Sequence, residues 1–251
     1  MKIFFLGNNW LGWRALAWLR ESGADVVGLA LHPLERRRYG DEMLAAAKLP
    51  RERVFDASRL REPAAQQEIA ALRADIGLSV LLGYILAPEV LSLFPRGVVN
   101  LHPAWLPFNR GSNANVWSIV ERTPAGVTLH HMDAGVDTGD VIAQTRTEVG
   151  VEDTGETLYH KLERDGLALL QRAWPLLEAG TATRIPQTGR ATTHRVRDLE
   201  RIDEIDLDAS YRARDLIDVL RARTFPPHKG AFFRVDGKRV YLRLSLEVED
   251  S

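Results

Sequence analysis

Two side chains near the middle of the chain have the types and spacing to act together on a carbonyl group. Asn100 and His102 are separated by one residue in the run Val98-Val99-Asn100-Leu101-His102-Pro103. If that run is extended, the two-residue period of a strand places both side chains on one face. An amide and a protonated imidazole that converge there can both donate to an oxygen turning negative, the situation created when an amine attacks a carbonyl. Loss of a single donor of this kind costs on the order of a hundredfold or more in turnover. The same chemistry needs a carboxylate to orient or charge the imidazole and to help remove the amine proton, worth roughly 10²–10⁴-fold when well placed. Asp133, Asp137 and Asp140 are the candidates in the stretch Asp-Ala-Gly-Val-Asp-Thr-Gly-Asp, and spacing leaves all three open.

These groups need a frame, and the hydropathy pattern supplies one. Residues 2–6 are a short apolar run that stops at Gly7-Asn8-Asn9, and apolar residues at helical spacing follow from Trp10 to Arg20. This reads as strand, tight turn, helix. Asp25–Leu31 is again strand-like, Asp41–Lys48 and Pro63–Arg73 are helical, and Asp75–Leu82 is a continuous apolar run expected of a strand buried on both faces. A short helix near Pro88–Leu93 precedes a strand at Gly97–Leu101, which a Pro-rich loop, His102 to Gly111, follows. A helix at Asn113–Glu121, strands at Gly126–Met132 and Asp140–Thr147, and a long helix through Leu158, Leu162, Leu169, Ala173 and Leu177 complete this part. Alternating strands and helices predict an α/β fold, a Rossmann-like open sheet of mostly parallel strands flanked by helices. In such sheets ligands bind beyond the carboxyl ends of the strands, where Asn100 falls.

Residues 1–182 are expected to form the catalytic domain. Residues 183–208 lose regularity and read as a connector, and residues 209–251 as a small C-terminal helix and antiparallel β-hairpin. The helix is marked by Tyr211, Leu216, Ile217 and Leu220; the hairpin by Asp236-Gly237 between Ala231–Val235 and Lys238–Leu246. Val240, Leu242, Leu244 and Leu246 alternate and would offer an apolar face to a second copy.

Composition narrows the chemistry further. The 251 residues include no cysteine, which excludes disulfides, thiolate nucleophiles and Cys-based metal sites and points to a reducing, cytoplasmic setting. Lys and Arg total 33 against 34 Asp and Glu, so the balance carries no nucleic-acid footprint. No apolar stretch approaches the ~20 residues that span a bilayer. Gly7-Asn8-Asn9-Trp10-Leu11-Gly12 lacks the middle glycine of a dinucleotide fingerprint and reads as a helix-capping turn. His130 and His131 are adjacent on a strand, face opposite ways and cannot share one metal ion, so no metal is expected. Arg36-Arg37-Arg38 reads as a solvated face.

The stretches VVNLHPAWLPFNRG and GVTLHHMDAGVDTGDVIAQ resemble the folate-dependent formyltransferases, sharply from Asp75 to Gln144 and more loosely over nearly the whole chain. The resemblance implies a catalytic set of Asn100, His102 and Asp137, with the first two stabilising a tetrahedral intermediate and Asp137 serving the imidazole. It implies 10-formyltetrahydrofolate as co-substrate, with a pterin pocket at Tyr84, Ile85 and Leu86 and at the loop holding Asp133 and Val136.

Ile202 to Phe233 is most similar to the short bacterial sugar N-formyltransferases, which act on nucleotide-linked amino-deoxysugars destined for surface polysaccharides such as lipopolysaccharide. Only ~65 residues follow Ile185, of the order of the smallest independently stable domain, whereas methionyl-tRNA enzymes carry a fuller and more basic C-terminal domain. On this resemblance Asn9, Trp10, Asn109, Arg110, Asn113 and Trp117 line the acceptor cleft, Arg223, Phe225 and Lys229 hold nucleotide parts, and the C-terminal region makes a homodimer. A formyl-folate hydrolase and a formyltransferase acting on methionyl-tRNA are the alternatives.

Overall fold

A computed structural model describes residues 1–249, so the last two residues of the region expected at 209–251 lie outside the described residues. The strands are β1 (Lys2–Gly7), β2 (Asp25–Leu31), β3 (Val54–Asp56), β4 (Ile76–Val80), β5 (Val98–His102), β6 (Arg110–Gly111), β7 (Gly126–His131), β8 (Val141–Arg146), β9 (Thr193–His194), β10 (Phe232–Val235) and β11 (Lys238–Tyr241). The helices are α1 (Asn9–Glu21), α2 (Gly40–Ala47), α3 (Pro63–Ala71), α4 (Pro88–Leu91), α5 (Ala114–Val120), α6 (Gly155–Ala179), α7 (Glu200–Asp203) and α8 (Ala213–Ala222).

Seven strands form one sheet in the order β3-β2-β1-β4-β5-β7-β8. The pairs β1–β2, β1–β4, β2–β3 and β4–β5 are parallel, and β5–β7 is antiparallel. This is the mostly parallel open α/β sheet that the alternating pattern predicts. Strand order reverses between β1 and β4, and the crevice beyond the carboxyl ends of the strands at such a switch point is where ligands bind. The apolar runs explain why these strands are central. Ile3, Phe4, Phe5 and Leu6 are all fully buried, and every residue of β4 is buried, so both faces of the sheet are covered. On one face Phe4 packs against Phe55 and Phe94 with ring centroids 5.5 and 5.6 Å apart. Ring pairs of this kind add about 0.5–1.5 kcal/mol beyond their buried area.

Several elements depart from the sequence reading: β3, β6, β9 and α7 fall where no element is expected, and β11 is shorter than expected. β3 has three residues, too few to show a period. β11 ends at Tyr241, not Leu246, because its partner β10 has four residues and the register Val235↔Lys238 to Phe232↔Tyr241 exhausts it.

The described chain divides into two compact units, each discontinuous in sequence. The first comprises Met1–His102, Val127–Thr145 and Glu163–Gln187, and it holds the seven-stranded sheet. The second comprises Pro103–Gly126, Arg146–Leu162 and residues from Thr188 onward. A cut at residues 182 and 208 does not reproduce these units, since chain returning from distant positions completes each one. In the second unit, Asp218 and Arg221 are buried and paired at 2.8 Å, and Arg122 Nε donates to Asp218 Oδ2 at 2.8 Å. Arg221 Nη1 also donates to the carbonyls of Gly150 and Asp153. Burial disfavours the charge on Asp153, but Lys161 Nζ at 2.6 Å, the Gly150 N–H and the Thr157 hydroxyl outweigh it and hold the carboxyl below its usual range.

Candidate active site

The site is built on β5 of the first unit. Asn100 and His102 lie two residues apart on this strand and share a face. The antiparallel register sets His130 of β7 directly opposite Asn100. Side chains of directly opposed residues stand side by side on one face of the sheet, so His130 joins the pair and His131 faces the other way. Asn100 Nδ2 lies 3.2 Å from His130 Nε2, and the His102 and His130 rings meet edge to face with centroids 6.2 Å apart.

The roles of these atoms follow from donor and acceptor chemistry. His130 Nδ1 lies 2.8 Å from the His131 carbonyl oxygen, which can only accept. Nδ1 therefore donates, and in the neutral ring Nε2 is left as acceptor for an Asn100 N–H. That contact orients the Asn100 amide with its nitrogen toward the centre of the site.

Asp137 closes the group from the loop between β7 and β8. Its Oδ2 is 3.6 Å from His102 Nε2, and its Oδ1 is 3.4 Å from Asn100 Nδ2 and 3.5 Å from His130 Nε2. The His102 and Asp137 side chains are 8% and 13% exposed, so water screens this pair weakly. The other two aspartates are occupied elsewhere. Asp133 Oδ1 accepts from Gly135 N at 2.9 Å and Thr138 Oγ1 at 2.5 Å, which folds the turn, and Asp140 Oδ2 pairs with Arg184 Nε at 3.1 Å. Asp137 itself is left-handed, with φ of 52°, a conformation that aspartate tolerates better than most residues. A Cβ at Gly139 would collide with the His131 carbonyl oxygen, so glycine lets the loop run tight against β7. Gln187 Nε2 donates to the carbonyls of Asp137 at 2.9 Å and Gly139 at 2.7 Å.

His131, on the far side of β7, is buried, and burial, reinforced by the charge of Arg184, pushes its imidazole below the ordinary histidine value. Among the described residues, no group of His, Asp and Glu has the arrangement of a metal site, and no helix is long and apolar enough to cross a membrane.

The residues expected for the pterin also lie in the first unit. Tyr84, Ile85 and Leu86 line a cavity of about 290 Å³ together with Ala57, Leu60 and Arg61. His32 Nε2 donates to the Leu82 carbonyl just before this segment, and its ring lies 4.9 Å from that of Tyr84. Ile85 and Val136 are 61% and 39% exposed, apolar side chains left uncovered on the two loops. Asn9 and Trp10 open α1 after the first strand, Asn9 with φ of 62°. The preceding Asn8 does not cap the helix as expected. Its Oδ1 accepts from Arg38 N at 2.9 Å, so the side chain braces the arginine loop instead.

The remaining expected contacts lie in the second unit, and they divide sharply. Asn109 is fully buried, and its Nδ2 donates to Ser118 Oγ at 3.0 Å and Thr123 Oγ1 at 2.8 Å, so this side chain is a strut and not a ligand contact. Arg223, expected at the nucleotide, makes a two-pronged pair with Asp203. Phe225 packs among Tyr159, His160 and His228, and Lys229 Nζ lies 5.6 Å from the Tyr241 ring centroid. Arg110 lies in β6, paired to β9. Trp117 stacks on His194 at 4.1 Å. Asn113 Nδ2 and Trp117 Nε1 are buried donors that meet no acceptor among the described residues.

Sequence reasoning passed over His130 and Gln187. The two-residue period separates His130 from His131, but only the register with β5 shows that His130 faces Asn100. Gln187 sits in a stretch with no pattern and carried no signal.

Residues 1–174 match the formyl transferase family, and residues 198–248 match the N-formyltransferase dimerization C-terminal domain. The methionyl-tRNA formyltransferase of Symbiobacterium thermophilum is 33% identical over 253 residues, covering 97% of this chain and 75% of that protein. Among solved structures, a 4-N formyltransferase from Francisella tularensis superposes with a TM-score of 0.86 at 25% identity, over 99% of this chain and 98% of that one. A formyltransferase from Anoxybacillus kamchatkensis, solved in complex with UDP-4,6-dideoxy-4-formamido-L-AltNAc and tetrahydrofolate, superposes with a TM-score of 0.59 at 27% identity, over 80% of this chain and 89% of that one.

Proposed function

The chain belongs to the formyl transferase family, and from that premise we propose that it transfers a formyl group from 10-formyltetrahydrofolate to the amine of a nucleotide-linked amino-deoxysugar. The observation that carries the reading is the convergence of Asn100, His102 and Asp137, with Asp137 Oδ1 3.4 Å from the amide and Oδ2 3.6 Å from the imidazole. 10-Formyltetrahydrofolate supplies the formyl carbon and leaves as tetrahydrofolate, the bond from carbon to its N10 breaking as the bond to the amine forms and N10 taking up a proton as the amine loses one. Asn100 offers an N–H to the formyl oxygen, since its 3.4 Å contact with Asp137 is long and readily exchanged for a stronger acceptor. His102 supplies the second donor, and the adjacent Asp137 carboxylate stabilises the imidazolium and provides a base near the attacking amine. Preorganised donors of this kind cost no reorganisation as charge develops.

The first unit's loops suit the folate. Tyr84, Ile85 and Leu86 line a cavity near the lower end of ligand-pocket sizes, and the uncovered Ile85 and Val136 side chains suit a flat ring, with Asp133 and Val136 on the neighbouring loop proposed as further contacts. For the acceptor, Asn9, Trp10, Arg110, Asn113 and Trp117 remain the proposed contacts. The buried, unpartnered donors of Asn113 and Trp117 favour a ligand rich in oxygen acceptors. A sugar amine is favoured by the likeness to the Anoxybacillus formyltransferase, solved with a UDP-linked formamido sugar and tetrahydrofolate. Residues 198–248 match the N-formyltransferase dimerization domain. The same match supports a homodimer. A role in making surface polysaccharide follows from that substrate class.

Methionyl-tRNA is the second reading, favoured by 33% identity to a methionyl-tRNA formyltransferase. Incubation with 10-formyltetrahydrofolate and, separately, a panel of nucleotide-linked aminosugars or methionyl-tRNA decides between them. One aminosugar product heavier by a formyl group is expected. Turnover with methionyl-tRNA alone overturns the sugar reading, and folate release at a rate no amine changes identifies a hydrolase.

A further inference from the structure

The geometry points to Gln187 as a positioning residue for Asp137, an assignment that rests on the catalytic role proposed above. Asp137 must hold a left-handed backbone, at φ of 52°, for its carboxylate to reach both His102 and Asn100. An isolated loop has no reason to stay there, because that region costs non-glycine residues of order 1–2 kcal/mol. Two carbonyls flank the strained peptide, those of Asp137 and Gly139, and Gln187 Nε2 donates to both, at 2.9 and 2.7 Å. A primary amide is the neutral group that carries two hydrogens on one atom in a planar fork, and both are spent on this loop.

Gln187 is itself held in place. Val141 and Ile185 exchange backbone hydrogen bonds of 2.8 and 2.9 Å, Arg184 pairs with Asp140, and Pro186 restricts the chain just before the glutamine. Residues 184–187 thus form a strap laid along the exit of the catalytic loop. The two bonds from Gln187 Nε2 end on backbone oxygens of the catalytic loop, so it acts through Asp137.

The test compares Gln187→Ala and the near-isosteric Gln187→Met in the full chain, reading formyl transfer against both substrates and backbone amide exchange of residues 134–140. Loss of two hydrogen bonds predicts a kcat lower by about 10- to 100-fold in both variants, with KM for folate and amine within about twofold, and faster exchange in the loop. In an Asp137→Asn background, Gln187→Ala should cost less than about twofold more, since the side chain it positions is already disabled. Restoration of activity by methionine would show that bulk suffices, and equal losses in the two backgrounds would show that Gln187 acts elsewhere; either overturns the assignment. If the wild-type chain transfers no formyl group, the catalytic reading fails while loop exchange still decides the clamp: acceleration supports it, and unchanged exchange removes it.

Discussion

Replacement of Asp137 by asparagine removes one charge and little else. Asparagine has nearly the same shape and tolerates φ of 52°, so the loop keeps its path. The His102 Nε2 to Asp137 Oδ2 distance of 3.6 Å sets the size of the effect. At an effective dielectric of ~20 the attraction between imidazolium and carboxylate is about 4–5 kcal/mol, an upper bound that neglects relaxation. With each 1.36 kcal/mol worth about tenfold in rate, kcat should fall by up to about 10³-fold. KM for either substrate should change by no more than a few-fold, because the lost interaction matters when charge moves and not when substrates dock. Steady-state formyl transfer, with thermal unfolding as a control for folding, measures both. A kcat within tenfold of wild type in a folded Asp137→Asn variant would refute the reasoning, as would a loss confined to KM.

The remaining predictions concern the supports of the site and the fold. His130→Leu should free the Asn100 amide and lower kcat by about tenfold at nearly constant KM, read in the same assay, since one orienting hydrogen bond is lost. Gly139→Ala must push the loop off the His131 carbonyl, and a displacement near 1 Å predicts a kcat about 10²-fold lower with an unchanged circular dichroism spectrum. Burial holds the His131 imidazole below its unfolded value of about 6.5, so the unfolded state takes up the proton first, and stability should fall as pH drops from about 7 to 5. His131→Gln should flatten that slope in urea melts. Asp153 is shifted the same way from the carboxylate side, so its contribution is present above about pH 4 and fades as pH falls through the depressed value. Lys161→Met should therefore cost about 1.5–3 kcal/mol at neutral pH, by urea midpoint, and progressively less in acid.

Much of the frame and part of the site were legible from residue order. A fully buried parallel strand reads as an unbroken apolar run, so β1 and β4 announced themselves, and the alternation with helices fixed the sheet type. The period of two placed Asn100 and His102 on one face before any pairing was known. Motif resemblance then attached a reaction to them. These are local properties, carried by neighbours a few residues apart.

Tertiary structure decided what depends on partners far away in sequence. Resemblance had singled out Asp137, and the fold supplies the physical distinction among three aspartates: Asp133 is spent on its own turn, Asp140 on Arg184, and Asp137 alone turns toward the imidazole. Register across β5 and β7 recruited His130, and a patternless stretch delivered Gln187 to the catalytic loop. Long-range contacts also gave Asn109 and Arg223 partners within the protein, because buried polar groups take the partners that folding brings them. Local spacing specifies which faces and turns a segment adopts, but a hydrogen-bond partner 50 residues away enters only when the chain has folded, and that is where the assignment of individual side chains was made.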